Sequence, residues 1–277
     1  MFEDIMGHET QINVLKNMIE TDRVSHAYLF SGEKGIGKAT LAAAFAKVLL
    51  HTDHLEACPD FTYISRKEDK KDILIDQIRK DLIDNIYITP ATGDKKVYII
   101  DEAEYLNIAS QNALLKTLEE PPQYVVIILI SSTISTFLPT ILSRVNHMEF
   151  QGITREEVKN YILKTHQIEL KERMLEYIDG SIGTAIQIVN NGLLDHFEKV
   201  DKFYKVLESK NAVNCLKDAQ DISFTEEYML DYLEFILYQH QKFEVTKFVE
   251  KAKIRLKNNG NYDIVIDNMI LKIIDQI

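Results

Sequence analysis

The sequence predicts an α/β chain: a parallel sheet covered by helices over about the first 150 residues, then an all-helical remainder. Three observations predict it. Short apolar runs, "HAYLFS" (26–31), "DFTYI" (60–64), "KVYIID" (96–101) and "YVVIILISS" (124–132), alternate with helix-patterned stretches. A glycine-rich loop, "SGEKGIGKAT" (31–40), joins the first run to a helical stretch. Beyond residue 154 the strand pattern fades, and Leu, Ile, Phe and Tyr recur at three- and four-residue spacing.

"HAYLFS" reads as a short buried strand that feeds the loop, and "KATLAAAFAKVLL" (38–50) as the helix after it. In that context Gly32, Gly35, Gly37 and Lys38 form a phosphate cradle, with backbone N–H groups and a lysine at a helix N-terminus. The phosphate-loop pattern then fails at Ala39, where a hydroxyl should ligate magnesium. Thr40 carries a hydroxyl and is a candidate site residue, but it lies ~100° further round the helix. "DFTYI" and "KVYIID" are two more strands. The second ends in Asp101-Glu102, the acids that hold magnesium and polarise water in nucleotidases of this loop type.

"ASQNALLKTLEE" (109–120) is a helix stopped by Pro121-Pro122, and "YVVIILISS" is a strand buried on both faces. "TREE" (154–157) is a capping box, with Thr154 as N-cap and Glu157 reaching back. Helical patterns run on to about 192, interrupted by Gly180 and Gly183, and resume beyond "NNG" (190–192).

Composition removes several function classes. A formal net charge of −11 argues against a lone nucleic-acid binder, whose affinity comes from neutralising phosphates. The longest apolar run, Val125 to Ile130, is far short of the ~20 residues that span a bilayer. With only Cys58 and Cys215, and no signal-like start, a cytoplasmic protein is expected.

Several stretches carry a resemblance to a known family. "SQNALLKTLEEPP" (110–122) and "LPTILSR" (138–144) are the strongest. "FEDIMGHETQINVLKNMI" (2–19) leading to "HAYLFSG" (26–32), "IDQIRK" (75–80) and "RLKNNGNYDIVIDNMIL" (255–271) agree with them. Together they resemble the bacterial clamp-loader branch of the AAA+ ATPases, nearly end to end. The resemblance implies a RecA-like AAA+ P-loop domain over 1–152, a small helical lid over 153–192 and an all-α collar domain over 193–277. It also implies that Arg144, in Ser143-Arg144-Val145, is an arginine finger acting in trans on a neighbouring subunit's nucleotide. Ser132 is the candidate polar residue that senses phosphate, with Ser131 and Thr133 competing.

Active members of that branch carry an arginine in a Gly-Ser-x-Arg stretch of the lid. Here the stretch is "GSIGTA" (180–185), with Gly183 at that position. Many members also carry a four-cysteine zinc module, whereas this chain offers only His51, His54 and Cys58, so zinc is not expected. ATP is expected to bind weakly or not at all, and magnesium poorly. The combination resembles the delta-prime type: part of the DNA polymerase III holoenzyme, with little or no ATPase activity of its own. Expected partners are gamma/tau and delta subunits, the sliding clamp and primed DNA, with no membrane. An active gamma/tau-type motor and a nucleotide-free scaffold remain alternatives. Phe224, Tyr232, Phe235 and Ile236 could serve an internal core or a collar interface.

Overall fold

Five parallel strands, β1 (Ala27–Ser31), β2 (Phe61–Ile64), β3 (Lys96–Ile100), β4 (Val125–Ser131) and β5 (Asn146–Glu149), form one sheet in the computed structural model. The structure describes residues 2, 5–67, 70–224 and 228–277, so Glu3 and Asp4 of the opening stretch lie outside it. The order is β2-β3-β4-β1-β5. β1 therefore lies between β4 and β5, with Ser31 level with Ser131 and with Glu149. That register brings the loop after β1 beside the ends of β3 and β4.

β4 is buried at all seven positions, and its alternation divides the core. Val126, Ile128 and Ile130 join Tyr28, Phe30, Leu41 and Phe45 on one face of the sheet. Val125, Ile127 and Leu129 join Tyr98, Ile100 and Leu114 on the other. The helices supplying those faces include α1 (Glu9–Glu20), α2 (Lys38–Leu49), the short α3 (Ile75–Ile78) and α4 (Ile108–Glu119). α5 (Pro139–Leu142) is a single turn before β5. β5 has no counterpart in the sequence reading, because only Met148 of its four residues is buried and no alternation marks it.

The loop before β3 is organised by Asp60, which is 2% exposed. Its carboxylate accepts N–H bonds from Ala91 and Thr92, each 2.8 Å, and the Thr92 hydroxyl at 2.7 Å. Burial opposes ionisation, but these bonds and nearby Lys96 outweigh it and hold the carboxyl below its ordinary value. A depressed carboxyl contributes stability that is present above its unfolded value of about 3.9 and lost as pH falls through the folded value. Asp60→Ala removes that contribution at neutral pH. The expected loss is about 2–3 kcal/mol, read as a fall of roughly 4–12 °C in thermal melting, with parent and variant converging in acid.

The chain divides into two units, Met1–Tyr161 with Asp179–Thr184, and Ile162–Ile178 with Ala185–Ile277. α6 (Arg155–His166) opens on the expected capping box. The Thr154 N–H donates to Glu157 at 2.8 Å, and the Glu157 N–H returns to the Thr154 hydroxyl at 3.2 Å. α7 (Glu172–Ile178), α8 (Ile182–Asn190), α9 (Leu194–Glu208), α10 (Ala212–Gln220), α11 (Met229–Gln239), α12 (Phe243–Lys257) and α13 (Tyr262–Gln276) follow. Gly183 lies inside the first turn of α8 and does not interrupt it.

In the second unit Tyr177, Phe197 and Tyr232 form an aromatic cluster, with ring centroids 4.6–5.6 Å apart. Phe224, Tyr232 and Ile236 are fully enclosed, and Phe235 packs on Tyr177 and Tyr232. Phe224, Tyr232 and Ile236 thus belong to the unit's own core, while Phe235 is half-buried. Lys253 of α12 pairs with both Asp231 and Glu234 of α11. Among the described residues no helix is long and apolar enough to cross a membrane.

Candidate functional site

The glycine loop leaves β1 and ends at Gly37, the N-cap of α2, which makes Lys38 the first helical residue. The Lys38 side chain folds back over the loop. Its Nζ donates to the Gly32 and Glu33 carbonyls, 2.5 Å each, and the residue is 6% exposed. Burial pulls the ammonium below the ordinary lysine value, opposed by Glu104, Asp101 and Glu33. On the other side His8 Nε2 is 2.6 Å from the Ile36 carbonyl oxygen, and its ring meets Phe150 edge-on at 5.0 Å.

Residues 181–184 lie directly on this loop. The Gly183 N–H donates to the Gly35 carbonyl at 2.8 Å, and the Ser181 hydroxyl donates to the Lys34 carbonyl at 3.2 Å. Ser181 and Thr184 hydroxyls are linked at 2.8 Å. The approach needs glycine on both sides. A Cβ at 183 would stand 2.7 Å from the Gly35 carbonyl oxygen, too close for any side chain without a backbone shift. Gly35 has φ +82°, and a Cβ there would run into the Ser181 hydroxyl.

The acids gather at the end of β3. Asp101 accepts the Tyr63 hydroxyl at 2.5 Å and the Glu102 N–H at 2.8 Å. Burial, the hydrogen bond to Asp101 and the neighbouring carboxylate charges push the Tyr63 phenol well above its ordinary value. Glu102 sits at φ +50°, a costly conformation for a residue with a side chain. It faces Arg66 at 3.5 Å and Lys34 at 3.8 Å. Glu104 accepts the Ser132 hydroxyl at 2.6 Å and its N–H at 3.3 Å. Ser131 turns the other way, donating to the Thr133 carbonyl at 2.6 Å.

The loop, Lys38, Asp101, Glu102 and Ser132 are thus one locality, joined through Glu104 and Lys34. Tyr63, Arg66, Glu104 and His8 were not singled out in the sequence; only the third acid of Asp101-Glu102-Ala103-Glu104 offered a signal. Thr40 lies elsewhere, lining an outer groove with Ala43, Ala44, Lys47 and Val48. Among the described residues no three His, Cys, Asp or Glu side chains group as metal ligands.

Arg144 forms a second place, just after α5. Its Nη2 donates to Glu119 at 2.7 Å, and its Nη1 donates to the Thr140 carbonyl at 2.9 Å and the Ser143 hydroxyl at 3.0 Å. The Arg144 side chain is 32% exposed.

The family described as "DNA polymerase III, delta subunit" matches residues 7–154, more than half of this 277-residue chain. The chain belongs to that family. This delta-family chain is also 33% identical over 211 residues to the DNA polymerase III subunit gamma of Buchnera aphidicola subsp. Acyrthosiphon pisum, covering 69% of itself and 58% of that protein. Against the tau subunit of Bacillus subtilis it is 33% identical over 213 residues, covering 69% and 38%. It therefore spans less than two thirds of either relative.

A solved DNA polymerase III gamma subunit-related protein from Thermotoga maritima shares the fold. Its TM-score is 0.60 at 18% identity, over 95% of this chain and 99% of that one. The fold is the RecA-like AAA+ arrangement that the motifs imply, with a helical C-terminal region. The delta-family chain is a polymerase III clamp-loader family member of the gamma, tau and delta-prime group.

Proposed function

We propose that this chain is a delta-prime-type subunit of the clamp loader, which uses Arg144 on a neighbour's ATP and hydrolyses little itself. The observation that carries the reading is the contact between Gly183 and Gly35. It occupies the loop at the position where active members carry an arginine. A magnesium nucleotide fits the remaining groups poorly. Position 39 offers a methyl group, Asp101 is engaged by Tyr63, and Lys38 is engaged by two loop carbonyls. ATP would be held weakly or not at all.

Arg144 supplies the complementary part. A guanidinium that reaches a neighbour's γ-phosphoryl group stabilises the charge spreading over its oxygens during transfer. The proposed assembly has residues 153–192 as lid and 193–277 as collar. It contains gamma/tau and delta subunits, works in the cytoplasm, and places the sliding clamp on primed DNA. The net charge of −11 fits a subunit that approaches DNA only within that complex.

A gamma/tau-type motor is the second reading, favoured by Asp101 standing near Lys38 and by Glu102 facing Lys34 of the same loop. ATP turnover by the chain alone, and after assembly with gamma/tau and delta, separates the two. The proposal expects slow turnover alone and a complex whose rate collapses when this chain is left out. Comparable turnover with and without the partners supports the motor.

A further inference from the structure

We propose that Glu119 is a positioning residue for Arg144, holding the guanidinium in the pose it presents to the neighbouring subunit. The inference rests on the reading of Arg144 as an arginine that acts in trans.

Helix stability does not explain Glu119. It is the last residue of α4, followed by Glu120, and both carboxylates stand at the helix end where the backbone dipole is already negative. What Glu119 does touch is Arg144 Nη2, at 2.7 Å. The pair is exposed enough, 50% for Glu119 and 32% for Arg144, that it adds little to folding.

α4 also fixes the approach to the arginine. Gln111, 2% exposed, donates to the Thr136 carbonyl at 2.9 Å and accepts the Leu138 N–H at 2.8 Å. One helix therefore registers both the start of the 136–144 segment and the side chain at its end. Thr140 and Ser143 complete the hold through Nη1. A long arginine side chain otherwise samples many rotamers, and ordering it after a partner arrives costs binding and rate. A guanidinium held at Nη1 and Nη2, on a side chain that is still 32% exposed, is ordered beforehand and remains accessible to a phosphate oxygen.

The test uses the complex reconstituted with gamma/tau and delta subunits, the clamp and primed DNA, carrying Glu119→Ala, Glu119→Asp, Glu119→Gln or Arg144→Ala. Glu119→Asp keeps the charge but withdraws it by one methylene; Glu119→Gln keeps the reach and an acceptor oxygen. The expected result is a fall in kcat of about ten- to a hundredfold for Ala and Asp. KM for ATP and melting temperature should hold, and Gln should recover most of the rate. Should Arg144→Ala lower kcat while both Ala and Asp at 119 stay within twofold of the parent, Glu119 has no positioning role. An increased rate for Glu119→Ala also overturns the proposal, since Glu119 would then be sequestering the arginine. If Arg144→Ala itself changes nothing, the trans-acting reading fails, and the two failures are told apart.

Discussion

Replacing Arg144 with Ala is expected to lower ATP turnover at the neighbouring site by ~10³-fold or more, without unfolding the chain or dissolving the complex. Arginine fingers stabilise the phosphoryl-transfer transition state by ~10³–10⁵ in rate, equivalent to roughly 4–7 kcal/mol at ~1.4 kcal/mol per decade. Nothing comparable is lost from folding. The Glu119 pair is partly exposed and worth at most about 1 kcal/mol, so melting should shift by only a few degrees. Arg144→Lys is a sharper probe. It keeps the positive charge but loses the planar fork that bonds Glu119, Thr140 and Ser143 together, so most of the rate should still be lost. Steady-state ATPase assays, melting curves and gel filtration on the same preparations check all three expectations. An unchanged rate in Arg144→Ala removes the functional reading.

The second large effect belongs to Gly183. If this glycine were merely a missing arginine, Gly183→Arg would improve the nucleotide site. The contact with Gly35 predicts the opposite. Any Cβ at 183 meets the Gly35 carbonyl oxygen at 2.7 Å, so the turn must lift and the 2.8 Å N–H bond to that carbonyl is strained or lost. Overpacking of this kind costs about 1–3 kcal/mol, and a lost bond adds ~1. Gly183→Arg should therefore melt roughly 4–16 °C lower and gain no turnover, because Ala39 still offers magnesium no hydroxyl. Gly183→Ala should melt lower as well, since the clash begins at Cβ. A Gly183→Arg chain as stable as its parent, or one that hydrolyses ATP, contradicts the contact's proposed role.

How much of this was legible in the sequence depends on the range of the interaction. β4 announced itself because burial on both faces leaves an unbroken apolar run. The capping box at Thr154 and Glu157 involves residues three apart, so its pattern is local. β5 left no such trace, since a four-residue edge strand with one buried side chain needs no alternation. The site divides in the same way. Lys38, Asp101 and Glu102 were found by spacing along the chain, whereas Tyr63 and Glu104 matter only because β2, β3 and β4 bring their ends together. Gly183 was visible as a departure from a motif. Its contact with Gly35, 148 positions away in the chain, was not.

The central claim is most directly tested by steady-state ATP hydrolysis of the purified chain alone, at saturating ATP and magnesium. Near-background turnover, unaffected by Lys38→Ala and converted to brisk turnover only when gamma/tau and delta subunits are added, is the predicted result. Sustained hydrolysis by the isolated chain that Lys38→Ala abolishes would contradict it.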